Sequence, residues 1–120
     1  MKIQESGEMY LENILILREK QAKLRAIDIV NFTGYKKPSI SRALKLLKDQ
    51  KLILVDESGF ITLTASGEVR ARKVYERHTV LTRFFENIGV SKEISTVDAC
   101  KIEHVISDET FEKIKERTFE

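Results

Sequence analysis

Apolar side chains at Met9, Tyr10, Leu11, Ile14, Leu15 and Leu17 recur at helical spacing and predict a first helix, with Ser6 or Gly7 as its cap. Met9 and Glu12, three apart, share a face of it. A second helix is predicted from Arg25 to Phe32, with Ala26, Ile29 and Val30 inward. Thr33-Gly34-Tyr35-Lys36 interrupts the pattern, and Gly34 suits the left-handed residue that ends a helix. Pro38 opens a third helix, where its missing N–H costs nothing. That helix runs to about Gln50 and turns Ile40, Ala43, Leu44 and Leu47 inward. The pattern then changes to that of strands: Leu52–Val55 and Phe60–Leu63 flank the turn Asp56-Glu-Ser-Gly59. Two helices on a glycine turn followed by a hairpin predict a winged helix-turn-helix.

The second half is predicted to be helical. Thr64 or Ser66 caps a long helix from about Gly67 to Asn87, with Val74, Tyr75, His78, Leu81, Phe84 and Phe85 as its apolar stripe. A histidine in such a stripe is commonly a hydrogen-bonded core residue, and that reading of His78 stays open. Gly89 ends the helix, Ser91 to Ser95 is a connection, and Thr96 to Val105 forms the next helix. Ser107 caps a last helix towards Glu120, with Thr110, Phe111 and Ile114 behind it. Phe84, Phe85, Ile88 and Val105 exceed what so small a core needs, and a homodimer is the expected use of the surplus. The expected fold is therefore mainly α with a small β-hairpin wing: residues 1–66 form the winged helix-turn-helix domain and residues 67–120 a helical domain.

Charge sharpens this picture. A net charge of +2 hides a basic stretch at residues 18–51, where ten Lys or Arg face three acids, and an acidic one at 84–120, where nine acids face five bases. A basic helix-turn-helix is the electrostatic footprint of a phosphate-backbone binder, although a solvated basic face would look the same. Ser39, Ser41 and Arg42 lie at the leading end of the third helix, the end that enters the major groove, with Lys36, Lys37 and Pro38 at its entry. Arg42 is expected to address a guanine edge bidentately and the lysines to touch phosphates, so double-stranded operator DNA is the expected partner. One cysteine excludes an internal disulfide, no apolar run approaches the ~20 residues of a membrane span, and the N-terminus lacks the order of a signal peptide. A cytoplasmic protein is expected.

The stretch Asp98-Ala-Cys100-Lys-Ile-Glu103-His104 sets a thiol, a carboxylate and an imidazole at i, i+3 and i+4 of one helical face. All three ligate transition metals, and the two anions would neutralise a divalent cation. Cys100 taken alone would read as a small buried hydrophobe. A Cys100–His104 enzyme would need an orienting third group and a cleft, which one helical face does not supply, so catalysis is not expected.

Four stretches, in order along most of the chain, resemble the diphtheria toxin repressor and manganese transport regulator family of metal-dependent repressors: Glu8-Met-Tyr-Leu11; Pro38-Ser-Ile-Ser-Arg42; Leu63-Thr-Ala-Ser-Gly67 with Arg77-His78; and Ala99-Cys-Lys-Ile-Glu-His-Val-Ile-Ser107. The resemblance implies that Met9, Cys100, Glu103 and His104 form the regulatory site of the iron-responsive branch. The manganese branch has carboxylates where Met9 and Cys100 stand. This softer set favours ferrous iron, with manganese, cobalt, nickel or zinc accepted in vitro. His78 matches the histidine of the iron branch's ancillary site, where Thr82 and Thr96 replace the expected Glu and second His. Glu12 matches a carboxylate of the manganese branch's paired-metal site, and the resemblance so implies a second metal site at Glu12 and His78, bridged by Glu103. With sixteen residues after His104, the resemblance implies a short form without the SH3-like domain, and a weaker dimer. It further implies a metal-binding and dimerisation role for the helical domain, and repression of metal-homeostasis genes by the loaded form. A metal-independent winged-helix regulator and a manganese-responsive repressor are the alternatives.

Overall fold

The computed structural model describes residues 5–119. Its elements are α1 (Glu5–Lys20), α2 (Ala26–Thr33), α3 (Lys37–Asp49), β1 (Ile53–Val55), β2 (Ile61–Leu63), α4 (Ala65–Asn87), α5 (Lys92–Ile102) and α6 (Asp108–Thr118). The mainly α fold with a hairpin wing expected from the pattern is the fold observed. The chain forms two compact units, Met1–Arg72 and Lys73–Glu120, and α4 begins in the first and ends in the second. Among the described residues no helix is long and apolar enough to cross a membrane.

In the first unit, Leu11, Ile14, Ile29, Ile40, Leu47 and Ile53 are fully buried at the centre of one core. Ser6 and Gly7 already lie within α1, so neither caps it. The Arg25 N–H at the start of α2 donates to Asp28 Oδ2 at 2.8 Å, which satisfies one of the orphan donors of that end. Gly34 ends α2 at φ 76°, and its N–H donates to Val30 O. Pro38 stands in the first turn of α3. The hairpin pairs Ile53 with Leu63 and Val55 with Ile61, and Asp56 Oδ1 accepts from the Ser58 and Phe60 amides to shape its turn. Ile61 N also donates to Leu24 O at 2.7 Å, adding a third short edge.

Thr64 caps α4 by accepting from Gly67 N at 3.0 Å, while its own N–H donates to Leu52 O. Packing is so close here that a Cβ on Gly67 would stand 1.8 Å from that Leu52 oxygen. The obstacle is backbone and cannot swing away. Gly67→Ala is therefore expected to destabilise by about 1–3 kcal/mol, the usual cost of overpacking, read as a shift of the denaturant midpoint. An unchanged midpoint would show that the wing and α4 separate freely.

Glu68 on α4 accepts from Arg18 on α1 at 2.7 Å and from Arg72 at 2.9 Å. These two guanidinium groups hold its carboxyl at about 2, below the ordinary 4.5. A depressed carboxylate contributes stability that is complete above pH 4.5 and is lost as pH falls towards 2. Glu68→Gln is expected to flatten the acid limb of the stability profile in that window. An identical limb in the variant would remove this pair from the acid response.

In the second unit, Val80, Leu81, Ala99 and Phe111 form the core, with Phe85, Ile102, Ile106 and Ile114 packed on it. Three details differ from the sequence expectation. Tyr75 is 44% exposed, and Arg77 takes the inward position one turn after Val74. The Ser91–Ser95 connection is largely helical: Ser91 caps α5 by accepting from Ile94 N, so the helix starts at Lys92 rather than Thr96. The same helix ends at Ile102, leaving Glu103 as its C-cap and His104 in the turn that follows. Ser107 caps α6 as expected, accepting from Thr110 N at 3.2 Å. That helix ends at Thr118, and Glu120 lies outside the described residues.

Candidate functional site

Gly34 lets α2 and α3 meet at a tight turn, and this leaves Lys36, Lys37 and Pro38 exposed at the leading end of α3. Ser41 and Arg42 are exposed one turn on, and Ser39 is half-buried. Arg42 Nη2 lies 3.5 Å from Ser39 Oγ, a contact weak enough for the guanidinium to exchange it for a ligand. Beside this end runs an open groove of about 790 Å³, lined by Met9, Tyr10, Tyr35, Lys36, Ser39 and Arg42 among others. Tyr10 and Tyr35 pack edge to face within it at 5.7 Å. A second basic cluster escaped the sequence reading: Lys23 and Arg25 both lie over the Phe60 ring, at 5.0 and 4.3 Å. The ring belongs to the wing and the cations to the approach to α2, so only folding brings them together.

Met9 and Glu12 both lie on α1, Met9 half-buried and Glu12 buried. The other four proposed ligands belong to the second unit. Cys100 is half-buried in the last turn of α5. Glu103 is 1% exposed, and the His104 ring is equally closed to water. His78, on α4, lies with Nδ1 3.0 Å from Glu103 Oε2. His104 Nε2 stands 3.2 Å from Oε1, in poorer hydrogen-bond alignment, so His78 is the better-directed partner. The structure thus brings His78, from α4, to the Glu103–His104 pair that sequence spacing had grouped.

Burial pushes the Glu103 carboxyl up, but the imidazoles of His104 and His78 outweigh it and hold the group below its usual range. A carboxylate kept ionised in a nearly dry interior is costly as a structural device, and such groups concentrate at functional sites. The donors joined here, a carboxylate and two imidazoles, fit a divalent transition ion such as iron, manganese or zinc. Arg77, which the apolar pattern left out, is buried beside them and donates to Glu103 O at 3.1 Å and Ile106 O at 2.7 Å. Its one sequence signal was its position next to His78.

Residues 64–118 match the family described as iron dependent repressor, metal binding and dimerisation domain. The transcriptional regulator MntR of Escherichia coli O6:H1 is 33% identical over 106 residues, 88% of this chain and 68% of that protein. The HTH-type transcriptional regulator MntR of Geobacillus kaustophilus is 33% identical over 110 residues, 91% of this chain and 77% of that protein. Among solved structures, that of the manganese regulator SloR aligns with a TM-score of 0.83 at 25% identity, covering 98% of this chain and 54% of its own. The present chain spans about half the length of that protein.

Proposed function

This chain belongs to the diphtheria toxin repressor and manganese transport regulator family of metal-dependent repressors, and on that premise we propose that it is a ferrous-iron-dependent, DNA-binding repressor of metal-homeostasis genes. Residues 1–66 are its DNA-binding part and residues 67–120 its metal-binding and dimerisation part. Met9, Cys100, Glu103 and His104 are the primary ligands, and Glu12 and His78 contribute to a second site. The observation that carries the metal half is the Glu103 carboxylate buried against two imidazoles. Bound there, a divalent ion supplies a positive charge with directional bonds to these donors.

For the DNA half, Arg42 reads a base edge, Ser39 and Ser41 face the groove beside it, and Lys36 and Lys37 hold phosphates next to Pro38. The protein acts as a homodimer, its exposed Ile88 and Val105 in the second unit serving as contact surface. Metal and operator favour the same conformer, so each raises the affinity for the other.

The thioether of Met9 and the thiolate of Cys100 support iron as the ion. A manganese reading draws support from the names of the relatives and from the hard donors gathered at Glu103. Cobalt titration of the reduced protein is expected to give a thiolate charge-transfer band that Cys100→Ala abolishes. A band unchanged in that variant would exclude Cys100 from the site. Competition between ferrous iron and manganese, without oxygen, then separates the two readings. Operator affinity indifferent to a chelator would leave only the metal-independent regulator.

A further inference from the structure

The inward face of α4 carries a charged residue where its pattern calls for an apolar one. Arg77 lies one turn after Val74 and one turn before Leu81, and its side chain is 11% exposed. A buried guanidinium is tolerable only when its donors are engaged, and three hydrogen bonds engage this one. Nη1 donates to the carbonyls of Glu103 and Ile106, at 3.1 and 2.7 Å, and Nη2 donates to Asp108 Oδ1. Its Cζ lies over the Phe111 ring, 5.3 Å from the centroid. These partners have a common location. Glu103 is the C-cap of α5, Ile106 sits in the turn that follows, and Asp108 opens α6. One cation thus stands at the negative end of α5 and binds the carboxylate at the positive end of α6, as both helix dipoles favour.

We propose that Arg77 is a positioning residue for the metal centre: its guanidinium clasps residues 103–108 from α4 and so holds Glu103 and His104 in register with His78. His78 is the next residue along α4, so one helix carries both a proposed ligand and the clamp on two others. The inference rests on the metal-centre reading above. Val105 N and Ile106 N both donate to Ile102 O, at 3.1 and 3.0 Å. Their exchange with solvent reports directly whether the turn is held.

The test uses the full chain, with Arg77→Met, which keeps the stem and removes every donor, and Arg77→Lys, which restores the charge and some of the bonds. Cobalt(II) is the probe, titrated without oxygen. Metal-free Arg77→Met should show faster amide exchange at Val105 and Ile106 while the amides of α1 to α3 stay protected. Its cobalt affinity should fall 10- to 100-fold, the range for outer-shell partners of metal ligands, with altered ligand-field bands. Arg77→Lys should recover part of both. Should Arg77→Met fail to fold, Asp108→Asn, at an exposed site, and Arg77→Lys decide on the same two readouts. Wild-type binding with exchange and affinity in the variants within two-fold of it would overturn the role of Arg77 alone. A wild-type protein that takes no cobalt would overturn the metal centre itself, and the proposal with it.

Discussion

Glu103→Gln is expected to cost more than a hundred-fold in metal affinity while leaving the metal-free fold intact. The amide keeps the shape of the carboxylate but removes the one buried anion between His78 and His104. The amide is neutral and can still hydrogen-bond to an imidazole on either side, so the substitution leaves no unpaired buried charge of its own. Outer-shell partners of metal ligands are worth about 10- to 100-fold in affinity, and a ligand should exceed them. The consequence for gating follows from population arithmetic. Moving a switch from 1% to 99% takes about 5.5 kcal/mol. A hundred-fold loss at each of two sites in a dimer is about 2.8 kcal/mol apiece, which is the whole of it. Operator binding by the variant should therefore no longer respond to ferrous iron. Competition titration and operator binding with and without chelator measure the two halves. A Glu103→Gln protein that still binds its operator only with metal would show that the switch is built elsewhere.

Arg42→Ala is expected to weaken operator binding by about 1–3 kcal/mol, or roughly 5- to 150-fold, and to relax preference at one base position. The exposed guanidinium at the leading end of α3, 3.5 Å from Ser39 Oγ, motivates this. Lys36→Ala and Lys37→Ala should behave differently. Each should weaken binding to every sequence alike and lower the salt slope by about 1, because a phosphate contact carries no base information. Binding measured against a set of single-base operator variants, at several salt concentrations, separates the classes. Arg42→Ala with an unaltered base preference would mean that α3 docks on DNA by another face.

The chain itself dictated the parts whose signals are local. Gly34 at positive φ, Pro38 in the first turn of α3, the Asp56 turn of the wing and the caps at Thr64 and Ser107 depend on neighbours within a few residues. Apolar periodicity likewise placed α2, α3 and the strands. It failed at α5, because the inward face of that helix is made of Ser95 and Ala99 while Ile94 and Val97 point to solvent. A helix that buries small residues shows no apolar stripe, and its start was read as a connection although Ser91 was there to cap it. It also misassigned Tyr75 and Arg77, since burial of a guanidinium depends on acceptors 26 to 31 positions away. The i, i+3, i+4 spacing found Cys100, Glu103 and His104, which one backbone segment presents. His78 comes from another helix, and only the packing of α4 against the end of α5 brings its ring to the Glu103 carboxylate. Spacing along the chain determines which donors can share a face. The fold determines which donors from different faces meet, because that distance is set by side chains remote in sequence.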